Sequence, residues 1–217
     1  MEKPILATNI DGFLIKHNAF IEPHKAWFDK AIKLTGDKTL EKWKGKKDYF
    51  RGVDLAMEKI MPKASSKERT TQAREWYQES VIDYIKSENS KLIYHEVVDS
   101  LKKLKQKFTL ALITVNTKEY INDILDAAHL TGIYDIIYAT PSSEKPDKSK
   151  IFQGFTKKYG KPKYYVAARS KEAFEECLRL GTLCIYVSWD EFNPEIAEIA
   201  NDQAKNPREL EAKLIAA

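Results

Sequence analysis

Cysteine is scarce in this 217-residue chain: only Cys177 and Cys184 are present, and they do not form a Cys-x-x-Cys pair. That pattern fits a reduced, cytoplasmic setting better than a disulfide scaffold. Long apolar runs are also missing. No stretch approaches the roughly 18–20 residues needed to span a bilayer, and the N-terminus lacks a signal peptide's basic-then-apolar layout. No membrane partner is therefore expected. The charge excess is small, +4 with a pI near 8.8, and no concentrated basic patch accompanies it, which argues against nucleic acid. Internal repeats and low-complexity segments are absent as well. What is present is 43% hydrophobic and 31% charged, the balance of an ordinary globular protein. The length allows one good core and a smaller appended domain.

Apolar runs of strand length recur in the second half. They cover Phe108–Thr114, Tyr134–Ala139, Lys163–Ala167 and Thr182–Val187. Their continuous apolar character, without strict alternation, suits a parallel sheet covered on both faces. Between them lie helix-period segments. Glu96–Lys107 aligns Val97, Val98, Leu101 and Leu104, and Lys118–Leu130 aligns Ile121, Ile124, Leu125 and Ala128. Glu172–Leu180 carries Phe174, Cys177 and Leu178 and stops at Gly181. Strands alternating with such helices predict βαβ units in a doubly wound sheet.

Residues 15–89 read differently, as helices over Pro23–Leu34, Val53–Met61 and Lys67–Lys86 with little strand signal. An all-helical block after the first strand and before the others is an insertion. The expected domains are therefore an α/β core of 1–14 and 90–217, and a helical cap of 15–89. The stretch after Asn193 reads as helical and polar, with Pro207 breaking it before Glu209–Ile215.

The first strand runs into Pro4-Ile-Leu-Ala-Thr-Asn-Ile-Asp-Gly-Phe-Leu14. An apolar run ending in Asn-x-Asp-Gly resembles the haloacid dehalogenase (HAD) phosphatase signature, Asp-x-Asp-Gly, with the first carboxylate replaced by an amide. The resemblance covers essentially the whole chain. It implies a Rossmann-like parallel sheet flanked by helices, with the helical cap of the phosphatase and phosphoglucomutase-like branch.

Carried over residue by residue, the resemblance puts Asn9 at the nucleophile and Asp11 at the general acid/base. The family's chemistry needs both carboxylates, one to attack phosphorus and one to protonate the leaving oxygen. Gly12 frees the chain to leave the sheet, and the bland alternative for Asp11 is a turn or helix cap. Thr114, in Leu112-Ile-Thr-Val-Asn116, matches the hydroxyl that holds a phosphoryl oxygen, with Asn116 beside it. Lys145, in Ser143-Glu-Lys-Pro-Asp147, matches the charge-balancing lysine, and Lys148 is the alternative. The fourth motif, normally a strand then Gly-Asp-x-x-x-Asp holding Mg²⁺, reads Val166-Ala-Ala-Arg-Ser-Lys-Glu172 here. Ala168 replaces its first acid and Glu172 its second. Only Asp11, as a backbone ligand, and Glu172 remain for a metal, so no cofactor is expected although active relatives use Mg²⁺.

Pro23-His-Lys-Ala-Trp27 resembles a helix start of these caps, marking His24. Leu40-Glu-Lys-Trp-Lys-Gly-Lys-Lys-Asp48 resembles their cap loop, marking Lys44, Gly45 and Lys47 for substrate contact; a solvated helix end is the alternative. The aromatics Trp27, Trp43, Tyr49, Phe50, Trp76 and Tyr77 read as cap core or as a partner surface.

Loss of the nucleophile together with a metal ligand points to natural retirement of the catalytic site, because an engineered trap would leave the fourth motif intact. Arg169 stands beside the vacated metal position. The expectation is a pseudoenzyme that binds a small anionic or phosphorylated metabolite, through Lys145 and Arg169, or a protein partner. The alternatives are a hydrolase with altered chemistry and a phosphatase carrying an engineered Asn9.

Overall fold

The structure, a computed structural model, describes residues 3–46, 49–141 and 146–216, apart from the side chain of Asn89. The chain divides into two compact units, Met1–Lys16 with Ile93–Ala217, and His17–Leu92.

The first unit is built on one six-stranded, all-parallel sheet. Its strands are β1 (Ile5–Thr8), β2 (Thr109–Thr114), β3 (Ile136–Ala139), β4 (Tyr164–Ala167), β5 (Leu183–Val187) and β6 (Asp202–Ala204), in the order β3-β2-β1-β4-β5-β6. Leu6 pairs with Leu110 on one side and Tyr164 on the other, which fixes β1 at the centre. Central position explains composition: β4 is buried along its whole length, and β2 is buried except at its two ends.

One sheet face presents Ala7, Ala111, Tyr165, Ala167, Cys184 and Tyr186 to Phe152, Phe155, Phe174 and Ile196. Those last residues belong to α6 (Lys148–Tyr159), α7 (Lys171–Arg179) and α8 (Pro194–Ile199). Helix aromatics pack edge-on against strand tyrosines, Phe152 and Phe174 on Tyr165 and Phe174 on Tyr186, with the small residues Ala7, Ala111 and Ala167 in the same cluster. The remaining helices of this unit are α4 (His95–Leu104), α5 (Lys118–Ala127) and α9 (Pro207–Ala216). Lys103 and Ser100 of α4 reach Glu211 of α9 at 3.2 and 3.1 Å.

Three expectations are corrected here, and α6 is an element for which the sequence set none. The strands begin one or two residues later than the apolar runs, because Phe108, Tyr134 and Thr182 are buried without being ladder residues. Helix α6 falls on a lysine-rich segment that gave little apolar period, yet Ile151, Phe152 and Phe155 bury one face of it. The C-terminal stretch is not continuously helical, since β6 lies between α8 and α9. Pro207 opens α9 instead of breaking a helix, as its missing N–H costs nothing in a first turn.

The second unit holds α1 (Asn18–Thr35), α2 (Phe50–Ile60) and α3 (Ser66–Glu88), with 3-10 turns at Lys38–Trp43 and Asn89–Leu92. Trp27, Phe28, Ala31, Leu40, Ala56, Met57 and Ala73 form its core. Helix α1 starts before Pro23, which therefore lies inside it. Proline in a helix interior forfeits a backbone bond, and here the buried face of Ala19, Pro23, His24, Trp27, Phe28 and Ala31 outweighs that loss. The helical unit ends at Leu92 and begins at His17, in place of the expected 15–89, because Ile15 and Ile93 bridge to one another within the sheet unit.

Candidate functional site

The central strand β1 is flanked by β2 and β4, which leave it in opposite directions along the sheet. In open parallel sheets the carboxyl ends at such a reversal form a crevice where ligands bind. Asn9 follows β1 directly, Thr114 ends β2, and Ala168 and Arg169 follow β4. The sheet thus gathers four of the sequence-marked positions at one edge.

The turn after β1 is closed by its own backbone. The amides of Phe13, Leu14 and Ile15 donate to the Ile10 carbonyl at 3.2, 3.0 and 3.1 Å, and Gly12 N–H donates to Ile15 O at 2.8 Å. Gly12 has φ +72°, where a side chain is strained, and an added Cβ would stand 3.1 Å from the Ala168 methyl and 3.3 Å from Arg169 Nε. The segment after β4 is therefore pressed onto the Asp11–Gly12 turn. A methyl group, which offers a cation nothing, occupies the place where the resemblance implies an acid.

Asn9 is half-buried, and its Nδ2 donates to the Asp11 carbonyl at 2.9 Å. Its Oδ1 is buried with no hydrogen-bond partner among the described residues. A carboxylate could not make the first contact, since it has no proton to give. The strand end beneath is held by Thr8 Oγ1 and Tyr134 Oη, 2.8 Å apart in the interior. Burial pushes the Tyr134 hydroxyl well above the usual tyrosine range.

Arg169 is the electrostatic centre of this edge. One guanidinium nitrogen donates to Glu191 Oε2 at 2.7 Å, and Nε lies 3.9 Å from Asp11 Oδ1. Next to it Tyr94, just before α4, donates its hydroxyl to Asp190. Burial, then that bond to Asp190, raises the Tyr94 hydroxyl far beyond its ordinary value, and Arg169 and Asp11 both act on it. Trp189 Nε1 donates to Phe13 O at 3.0 Å and stacks on the Phe13 ring, fixing the β5–α8 loop over the first turn. Ser170, between Arg169 and α7, has φ +78°, an uncommon left-handed value for a residue with a side chain. Such strain is commonly retained where a loop positions a functional group.

The other marked residues divide. Thr114 is half-buried, and its Oγ1 accepts from Asn116 N–H at 3.1 Å, so the hydroxyl caps its own loop while Asn116 stays exposed. Glu172 is exposed, with Ser170 Oγ donating to it at 3.3 Å. Lys148, half-buried at the start of α6, has its ammonium pulled below the ordinary lysine range by burial, against the opposing charges of Glu172 and Asp11. Lys145 and Lys47 lie outside the described residues.

In the helical unit Lys44 is held by Asp29 at 2.5 Å and Glu41 at 2.7 Å, and the hydrogen bonds to Asp29 and then Glu41 raise its pKa. Its charge is neutralised within the unit. Gly45 takes φ +68° with open space around it. His24 is not a helix-start residue. It is buried in the middle of α1, edge-on to Phe28 and Tyr49, and burial lowers its pKa although it donates to the Trp43 carbonyl.

Sequence reasoning missed Tyr94, Asp190 and Glu191. The last two lie in Ser188-Trp-Asp-Glu191, an acidic turn following an apolar strand. That signal was readable, but only the fold brings it to Arg169.

A magnesium ion does not fit these residues. Hard cations want several carboxylate oxygens, whereas Asn9 is neutral, Ala168 offers a methyl, and a guanidinium already stands beside Asp11. Among the described residues no cluster of His, Cys, Asp or Glu is arranged to hold a metal. Nor is any helix there long and apolar enough to cross a membrane.

Comparison with solved structures finds the same fold. A haloacid dehalogenase-like family hydrolase from Streptococcus pneumoniae superposes with a TM-score of 0.66 at 16% identity, covering 97% of this chain and 98% of that one. A β-phosphoglucomutase from Clostridium difficile gives 0.65 at 17%, covering 100% and 96%. The HAD hydrolase YfnB from Bacillus subtilis, whose structure is bound to magnesium, gives 0.66 at 12%, covering 99% and 100%. No curated protein matches by sequence. The family model of haloacid dehalogenase-like hydrolases matches residues 14–166. This chain belongs to the haloacid dehalogenase-like hydrolase family.

Proposed function

We propose that this family member no longer runs the magnesium-dependent aspartyl-phosphate reaction and instead binds a small phosphorylated or otherwise anionic metabolite in the cytoplasm. The observation that carries the proposal is the amide of Asn9, spent on the Asp11 carbonyl at 2.9 Å. The amide nitrogen's lone pair is delocalised into its own carbonyl, and the neutral Oδ1 lacks the charge with which a carboxylate attacks phosphorus. Removal of a nucleophile in a well-studied hydrolase costs on the order of a millionfold in turnover. The methyl of Ala168 against the Asp11–Gly12 turn removes the metal that could have compensated.

Arg169 is committed to Glu191 and stands beside Asp11, so it contributes to an anion site only by exchanging partners. The amides of Gly12 to Ile15 are likewise used inside the turn. Recognition of an anion then falls on Thr114, whose hydroxyl ends β2, and on Lys145, the position that balances phosphate charge in relatives. The test is calorimetric titration of the chain and of Lys145→Ala with inorganic phosphate. Binding at millimolar concentration or below, weakened at least several-fold by the substitution, supports the proposal. No heat of binding from either protein overturns its ligand half.

A further inference from the structure

The mismatch between this site and a metal ion has a specific form. The cluster around the Asp11 turn is rich in acid: Asp11 itself, Glu191, Asp190 beneath Tyr94, and Glu172 at the start of α7. Most of these carboxylates are exposed, Glu191 with 73% of its side chain accessible and Asp11 with 36%, and like charges gathered in this way are eased by positive charge nearby. Among the described residues Arg169 supplies it by contact. Arg169 Nε is 3.9 Å from Asp11 and its terminal nitrogen 2.7 Å from Glu191. Lys148 enters from the first turn of α6, where Glu172 and Asp11 both act on its charge.

We infer that Arg169 is a built-in replacement for the divalent cation, holding the Asp11 turn and the Glu191 loop together as a permanent counter-ion. Glu191 is largely exposed, and the less exposed contact is with Asp11, where Arg169 lies beside the turn. Arg169 directly precedes the left-handed Ser170, and its Cδ and Nε lie beside Gly12. Its planar fork can reach two carboxylates on different loops, as a point charge on a flexible stem cannot. The cation arrives with the fold, so the crevice keeps its shape without metal in solution. The inference rests on the reading that metal chemistry has been lost, and is independent of which anion is bound.

The test is titration with Mn²⁺ alone, followed by electron paramagnetic resonance of the free ion. It uses the unaltered chain, Asp11→Asn, Arg169→Gln, Arg169→Gln/Asp11→Asn and Ala168→Asp. The unaltered chain is expected to bind Mn²⁺ no more tightly than Asp11→Asn does. Arg169→Gln uncovers the carboxylates and should gain about tenfold or more in Mn²⁺ affinity, a gain abolished by adding Asp11→Asn. Asp11-dependent Mn²⁺ binding by the unaltered chain overturns the inference, as does a folded Arg169→Gln that gains nothing. If Arg169→Gln does not fold, Ala168→Asp decides. With Arg169 in place the new carboxylate should pair with the guanidinium and leave Mn²⁺ affinity unchanged, and tight Mn²⁺ binding there overturns the inference. Phosphate binding and turnover are not read in this experiment, so the proposed function and this inference fail separately.

Discussion

Asn9 gives its amide proton to the carbonyl of Asp11 at 2.9 Å, so the side chain at the nucleophile position braces the turn that carries the acid/base position. Restoring the family's residue should therefore harm the fold. Asn9→Asp exchanges a donor for an anion, placed beside a carbonyl oxygen and close to the Asp11 carboxylate. Losing a hydrogen bond and leaving a polar group unmatched costs about 1–3 kcal/mol. Urea unfolding should show that loss of stability, and an unchanged or higher midpoint would contradict the bracing role.

Activity should not return with that single change. Asn9→Asp supplies a nucleophile but leaves Ala168 and the Arg169 counter-ion in place. Hydrolysis of a generic phosphate ester with Mg²⁺ is expected to stay at background in Asn9→Asp. Any recovery should first appear when Ala168→Asp and Arg169→Gln are both added to it. Full recovery by the single change would point to an otherwise intact metal site and to an engineered Asn9.

Inside the helical unit Gly52 has no room for a side chain. An added Cβ would lie 2.3–2.7 Å from the Trp43 ring and its Cβ. Gly52→Ala must displace an indole that packs against the unit's core. Overpacking of this kind costs about 1–3 kcal/mol, against a helix-propensity gain below about 1 kcal/mol. Net destabilisation, with a changed tryptophan fluorescence spectrum, is the expected result.

Acid should weaken the same unit through Asp37. Its carboxylate accepts from Lys59, from the Thr39 hydroxyl and from the Thr39 amide, which lowers its pKa from 3.8 to about 2. A folded-state value below the unfolded one means its stabilisation is full above about pH 4 and disappears as pH falls toward 2. Thermal unfolding of the chain and of Asp37→Asn should differ at neutral pH and converge near pH 2. A difference that persists at pH 2 would show that the contribution is not electrostatic.

Much of the core was legible because buried parallel strands must be apolar throughout. Ala111–Ile113 and Tyr164–Ala167 announced themselves in that way. β6 did not, because an edge strand of three residues, Asp202–Ala204, exposes two of them. Helix α6 hid behind its lysines, of which Lys150, Lys157 and Lys158 are exposed. Asn9, Thr114 and Ala168 could be placed at the carboxyl edge of the sheet because they directly follow or end strands. The partners of Arg169 could not, since Glu191 is 22 residues away in sequence and meets it only through the β4–β5 pairing. His24 was misplaced for a related reason: proline normally marks a helix start, and here tertiary burial carried the helix past it.

The central claim is that metal-dependent phosphoryl chemistry has been lost, and steady-state turnover of a generic phosphate ester by the unaltered chain tests it most directly. The protein should be assayed with and without Mg²⁺, beside an Asp11→Asn control. The account predicts no release of phosphate above that control under either condition. Mg²⁺-dependent turnover at an ordinary enzymatic rate, roughly 1–10³ per second, and abolished by Asp11→Asn, would contradict it.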